Sequence, residues 1–118
     1  MNAQILKSKI HKARLTACDL HYEGSLAIDQ DIMDACGMLP YEKILVVNAT
    51  NGQRLETYAI VGERGSKIFC LNGAAARLGE RGDMVTIMSF GSCPIEECPN
   101  MKPTVVVLNE KNDIIKKK

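Results

Sequence analysis

The sequence predicts a mainly β chain that closes into one small barrel with short helices. Two observations carry the prediction. Six or seven short runs are rich in β-branched and apolar residues, and Gly, Asn, Asp or Pro turn signals separate them. Few stretches have helical period. Closing such a set of strands removes exposed sheet edges. The 118 residues fit a single domain, 1–118. At this size folding buries roughly 65% of the unfolded surface, so a core needs neither disulfides nor metal.

The elements follow in order. Ile5 to Thr16 reads as extended, with polar residues interleaved around Ile10. Ser25 to Ile28 is short and apolar. Asp29 suits an N-cap for a short helix through Cys36, with Gly37 as its stop. Lys43 to Val47 is β-branched, and Thr50-Asn51-Gly52 predicts a type I′ hairpin returning through Arg54 to Val61. Ser66 to Leu71, Met84 to Phe90 and Thr104 to Leu108 read as further strands, and Ile114-Ile115 pairs back across Lys111-Asn112-Asp113. Pro94 to Pro99 suits a short helical turn. Gly62-Glu63-Arg64-Gly65 and Gly79-Glu80-Arg81-Gly82 are similar strand entries, as in a pseudo-symmetric barrel.

Composition narrows the function. Lys plus Arg number 15 against 14 Asp plus Glu, which argues against nucleic acid as a partner. The tail Lys116-Lys117-Lys118 reads as a solvated end. No apolar run approaches the roughly 18 residues that span a membrane, and the first residues lack a signal-peptide core. The five cysteines contain no Cys-x-x-Cys pair, which favours reduced thiols in a cytoplasm. Cys93 and Cys98 with two distant histidines make a poor zinc set, so no metal is expected.

The pair Gly24-Ser25 carries the chemistry of most interest. By itself Gly-Ser is an ordinary turn dipeptide. A serine hydroxyl can, however, attack the preceding carbonyl and form an ester. Good intramolecular geometry is worth roughly 7–11 kcal/mol in such a step. The preceding glycine tolerates left-handed or strained backbone and leaves its carbonyl open. A donor aimed at the developing oxyanion adds roughly 3–4 kcal/mol. β-Elimination then frees the upstream chain, and loss of ammonia leaves a pyruvoyl group. That ketone forms a Schiff base with a substrate amine and accepts electrons as CO₂ leaves, the work otherwise done by pyridoxal phosphate. No pyridoxal phosphate motif is evident, and none is needed.

Four blocks give this chemistry a context. They are Lys9-Ile10-His11, Leu20 to Ser25, Asn51 to Tyr58, and Leu71 to Arg77. In this order they resemble the pyruvoyl-dependent aspartate 1-decarboxylase family over Lys9 to about Ser89. After Phe90 the match is poor. The resemblance implies a double-psi β-barrel and cleavage between Gly24 and Ser25 into 1–24 and 25–118. It further implies a cytoplasmic homotetramer that converts L-aspartate to β-alanine and CO₂ for pantothenate (coenzyme A) synthesis.

It also implies residue roles. Ser25 becomes the pyruvoyl group, and Gly24 ends the short chain. Tyr58 reprotonates the substrate carbon. Thr57 steadies the Gly24 carbonyl during processing and lines the substrate site. Arg54 and Lys9 hold the substrate carboxylates, and a guanidinium does this as a bidentate fork. Asn72 caps a short helix whose first residues, Gly73, Ala74 and Ala75, contact substrate. His11 and Tyr22 are supporting residues. Read without that context, Tyr58 is a half-buried strand aromatic, Arg54 a solvated charge and Thr57 a β-former.

Alternation places Arg54 and Tyr58 on one face, roughly 13 Å apart, and Thr57 on the other. The sequence therefore predicts active sites at subunit interfaces, which use both faces. Two other readings stay open: a pyruvoyl decarboxylase for another amino acid, and an uncut small barrel serving as a binding or assembly module.

Overall fold

A computed structural model describes residues 1–118. The strands are β1 (Asn2–Arg14), β2 (Ala17–Asp19), β3 (Ser25–Asp29), β4 (Lys43–Asn48), β5 (Arg54–Gly62), β6 (Phe69–Asn72), β7 (Met84–Pro94), β8 (Thr104–Leu108) and β9 (Ile114–Lys117). One α-helix, α1 (Gln30–Cys36), follows β3, and two 3-10 helices cover Gly73–Leu78 and Cys98–Asn100. The chain is mainly β, as its pattern predicts.

The hydrogen-bonded order is β2-β6-β3-β5-β4-β7-β1-β8-β9. Three neighbouring pairs are parallel: β1 with β8, β2 with β6, and β3 with β5. The ladder runs from β2 to β9 without returning, so strand pairing by itself does not draw the closed barrel that the sequence predicts. Two residues between β1 and β2 reach different parts of the sheet. Leu15 donates its N–H to the Asp83 carbonyl at 2.9 Å, and Thr16 donates to the Phe69 carbonyl at 2.9 Å. These successive residues bond to segments from different parts of the sheet, so no continuous ladder forms there.

One cluster of 18 buried residues forms the core, with Ile10, Leu26, Ile28, Ile44, Val46, Phe69, Leu71, Ile87 and Leu108 among its largest members. Alternation explains which side chains enter it. In β4, Ile44 and Val46 point in while Leu45 and Val47 stay half-exposed. β3 lies between β5 and β6, and all five of its residues are buried.

Asp29 joins β3 to α1 and does more than cap. It is 2% exposed, and its carboxylate accepts three backbone N–H groups. Oδ1 takes Asp31 at 2.8 Å and Gly65 at 3.1 Å, and Oδ2 takes Lys67 at 2.8 Å. Gly37 ends the helix in the left-handed conformation, as predicted. Lys67 itself has φ +60 and stands in the turn that Asp29 holds, so β6 begins at Phe69 rather than at Ser66.

The hairpin after β4 lies where Asn51-Gly52 predicts it, but it is not type I′. Only Gly52 has positive φ, at +77, whereas a type I′ turn needs two such residues. The Asn48 side chain takes over. Its Oδ1 accepts the N–H groups of Thr50 at 2.9 Å and Asn51 at 3.3 Å. Gly52 then donates to the Asn48 carbonyl at 2.9 Å, making a longer loop. The two Gly-Glu-Arg-Gly entries do form matching turns, with Ser66 N–H on the Glu63 carbonyl and Asp83 N–H on the Glu80 carbonyl. β2 had no counterpart in the sequence reading. Toward the chain end, the turn predicted over Pro94–Pro99 carries its 3-10 helix at Cys98–Asn100.

Asp29→Ala should cost about 3 kcal/mol or more, because three N–H groups lose a charged acceptor. Urea unfolding measures this; a loss under about 1 kcal/mol would contradict the role given to Asp29.

Candidate functional site

Ser25 opens β3, directly opposite Asn72 of β6. It is 1% exposed. Its hydroxyl donates to the Glu23 carbonyl at 3.2 Å and accepts the Asn72 amide N–H at 3.1 Å. The Asn72 carbonyl oxygen in turn accepts the Cys70 thiol at 3.1 Å. Burial, then the charge of Asp19, pushes the Cys70 thiol above its usual range, so it stays a donor at neutral pH. A donor on one end of the amide turns the other end, the NH₂, toward Ser25. The sequence assigned Asn72 a helix cap. It stands at the cap position but makes no side-chain capping bond, since the serine and the thiol take its amide.

Gly73 has φ +74, and a Cβ there would lie 2.7 Å from Gly24 Cα, 2.8 Å from Gly24 N and 3.2 Å from the Tyr22 carbonyl. No L-residue fits that space or that backbone without displacement. Gly24 is the reverse. Its φ is not positive, and a Cβ would meet nothing within 4 Å. The expectation that Gly24 supplies strained backbone is therefore not met. The tight constraint falls on its neighbour Gly73.

β3 and β5 run parallel with Leu26 opposite Ala59. Continued one residue back, that register brings Ser25 level with Tyr58; two back, it brings Gly24 level with Thr57. A cavity of about 290 Å³ confirms the first juxtaposition: Ser25, Tyr58 and Tyr22 line it together with Pro40, Tyr41 and Ile60. Its size is near the lower end for small-molecule sites. Thr57 is not a partner of the Ser25 hydroxyl, whose two bonds go to Glu23 and Asn72. Ala74 is exposed, and Ala75 packs on the core edge.

Arg54, Lys9 and His11 lie elsewhere. Arg54 starts β5 opposite Val47, which itself pairs with Thr86 of β7. The Thr86 hydroxyl is 3.2 Å from His11 Nδ1. Lys9 pairs with Met88 of β7. Ile10, Val46 and Ile87 point into the core, so Lys9, His11, Val47, Thr86 and Arg54 share the opposite face. The structure gathers the three basic residues on one sheet face, none of them lining the Ser25 cavity of the same chain. Burial, with Lys9, Lys12 and Lys118 nearby, pushes the His11 pKa below its usual value.

Known proteins bear directly on this arrangement. The family model described as Aspartate decarboxylase matches residues 1–115. The chain belongs to that family. It is 56% identical over 109 residues to an aspartate 1-decarboxylase of Leptospira biflexa serovar Patoc, covering 92% of each chain. The aspartate 1-decarboxylase of Phenylobacterium zucineum is 50% identical over 116 residues, 98% of each chain. That of Caulobacter vibrioides is 52% identical over 113 residues, 96% of this chain and 95% of the relative.

Sequence reasoning did not find Cys70, Pro40 or Tyr41. Cys70 had a usable signal, because residues two apart on a strand share a face and Cys70 precedes Asn72 by two. Pro40 and Tyr41 had none, since only the tertiary path of the α1–β4 loop brings them to Ser25.

Cleavage of the Gly24–Ser25 bond should slow about 10-fold in Cys70→Ala, the worth of one oriented hydrogen bond, and more in Asn72→Ala. Cys70→Ser, which keeps a donor, should cut at close to the parental rate. Band intensities on a gel over time measure this; equal rates in all four chains would contradict the orienting role.

Proposed function

We propose that this chain cuts its own Gly24–Ser25 bond, converts Ser25 into a pyruvoyl group and decarboxylates L-aspartate to β-alanine and CO₂. The observation that carries the reading is a buried serine hydroxyl at the head of a cavity, held by Asn72 beside a glycine seated on Gly73, in a chain of the aspartate decarboxylase family.

Self-processing follows from the chain's own groups. Ser25 Oγ turns from the Glu23 carbonyl and attacks the Gly24 carbonyl carbon. The Gly24–Ser25 C–N bond breaks, an ester forms, and the freed nitrogen takes the proton. The contact of Gly24 with Gly73 limits how the peptide can move, which favours one attack geometry. Thr57, level with Gly24 in the continued strand register, is the proposed donor to the carbonyl oxygen as it gains charge. Elimination removes the Ser25 Cα proton and breaks Cβ–Oγ, so Oγ leaves with the electron pair as part of the Gly24 carboxylate. The Asn72 N–H already points at that oxygen, where negative charge develops. Water then displaces ammonia from the new chain start at residue 25.

The residues present fit a pyruvoyl group, because the position it would occupy is buried, donor-bearing and open to the cavity. The group supplies an electrophilic ketone that binds an amine and withdraws electrons as CO₂ departs. Neither a metal nor pyridoxal phosphate is called for. Tyr58 is the proposed proton donor to the substrate carbon, since its ring shares the cavity with Ser25. Gly73, Ala74 and Ala75 offer backbone to a substrate carboxylate.

No cation lines this cavity within one chain. A dicarboxylic substrate needs positive charge, and Lys9, His11 and Arg54 stand together on the outer sheet face. That supports a homotetramer in which a neighbouring copy presents Arg54 and Lys9 to Ser25. The mixed parallel and antiparallel pairing, with the Leu15–Thr16 link across the sheet, supports a double-psi barrel. The family relationship supports service in pantothenate synthesis. No helix is long and apolar enough to cross a membrane, and a cytoplasmic enzyme is the proposed setting.

Turnover of L-aspartate and L-glutamate by the processed protein tests the reading. Aspartate alone should be consumed, Ser25→Ala should be inactive, and Tyr58→Phe should cut normally yet lose about 10²–10⁴-fold in kcat. Equal rates on both acids would overturn the specificity, and turnover by Ser25→Ala would overturn the mechanism.

A further inference from the structure

Tyr41 is held in an unfavourable conformation with little burial to repay it. Its φ is +66, in the left-handed region that non-glycine residues avoid. Its side chain makes no core contribution, the residue being 77% exposed. Yet its backbone is fixed on both sides. Tyr41 N–H donates to the Ala59 carbonyl at 2.7 Å, and Ala59 N–H donates back to the Glu42 carbonyl at 3.0 Å. These bonds latch the loop to β5 one residue beyond Tyr58.

A second clamp lies behind the loop. Lys7 Nζ donates to both Glu42 carboxylate oxygens at 2.9 and 3.0 Å and to the Gly37 carbonyl at 2.7 Å. Glu42 also accepts Leu39 N–H at 3.0 Å. The result places the Tyr41 ring 6.4 Å from the Tyr58 ring, tilted by 36°, on the wall of the cavity that contains Ser25. This is a favourable aromatic separation. Strain kept by surrounding bonds, at the lip of a reactive cavity, points to function rather than packing.

We propose that Tyr41 is a positioning residue for Tyr58. Its ring confines the Tyr58 phenol to one orientation over Ser25 and covers one side of the cavity. The proton then reaches the substrate carbon from a single face. This rests on the reading of Tyr58 as proton donor.

The test uses Tyr41→Gly, which accepts the left-handed backbone while removing the ring, and Tyr41→Phe, which keeps the ring without its hydroxyl. In the uncut Ser25→Ala chain labelled with ¹³C-tyrosine, the Tyr58 ring signal should shift in Tyr41→Gly and stay near its parental position in Tyr41→Phe. In processed enzyme turning over aspartate in D₂O, the parent should place deuterium on one prochiral position of the product. Tyr41→Gly should scramble that position and lose about 10- to 100-fold in kcat with little change in KM; Tyr41→Phe should do neither. An unmoved Tyr58 signal, or undiminished stereochemical purity in Tyr41→Gly, overturns the proposal. A parent that itself scrambles the label counts against Tyr58 as donor, and the ring signal then decides the Tyr41 contact separately.

Discussion

Strand β3 is buried along all five residues between a parallel partner and an antiparallel one, and the geometry of the site follows from that. With both edges paired, its register is fixed twice. One side sets Ser25 opposite Asn72, and the other sets it level with Tyr58. Immediately upstream, Gly24 rests where a Cβ on Gly73 would otherwise stand. The peptide between Gly24 and Ser25 is therefore confined at both ends, by strand pairing after it and by the close glycine contact before it. An intramolecular attack gains most from this kind of confinement, because orientation is already set before the reaction begins.

The chemistry is divided between two places on the sheet. One is the cavity that Ser25 lines with Tyr22, Tyr41 and Tyr58, with no cation in its wall. The other is the stretch of outer face where Lys9, His11 and Arg54 gather; Arg54 shares its face of β5 with Tyr58, but none of the three basic residues lines that cavity in the same chain. A single copy has the serine cavity without a cation beside it to hold a carboxylate. Assembly of copies is the proposed way to unite them, and it makes substrate binding depend on oligomerisation while the groups placed for cleavage belong to one chain.

Local features were the most legible in the sequence. Asp29 as a cap and Gly37 as a stop are decided within a few residues, and both hold. The hairpin's place was also local, but its type depended on the Asn48 side chain capturing the turn. The Gly24–Ser25 and Gly73 positions could be named from their resemblance to a family. Their reason could not, since the Gly24–Gly73 contact and the Ser25–Asn72 bond join residues almost fifty apart. Asn72 shows this most plainly: its local signal says helix cap, while the amide is committed to Ser25 and Cys70. β2 has only three residues and no period to read. The barrel was inferred from strand number, whereas the pairing itself runs from β2 to β9 without closing.

Whether the confined peptide cuts itself is read from the intact mass of the purified chain. Self-cleavage gives two species, residues 1–24 ending in a free Gly24 carboxylate and residues 25–118 with a pyruvoyl start that resists stepwise N-terminal degradation. A single full-length mass that persists on prolonged incubation would exclude self-cleavage.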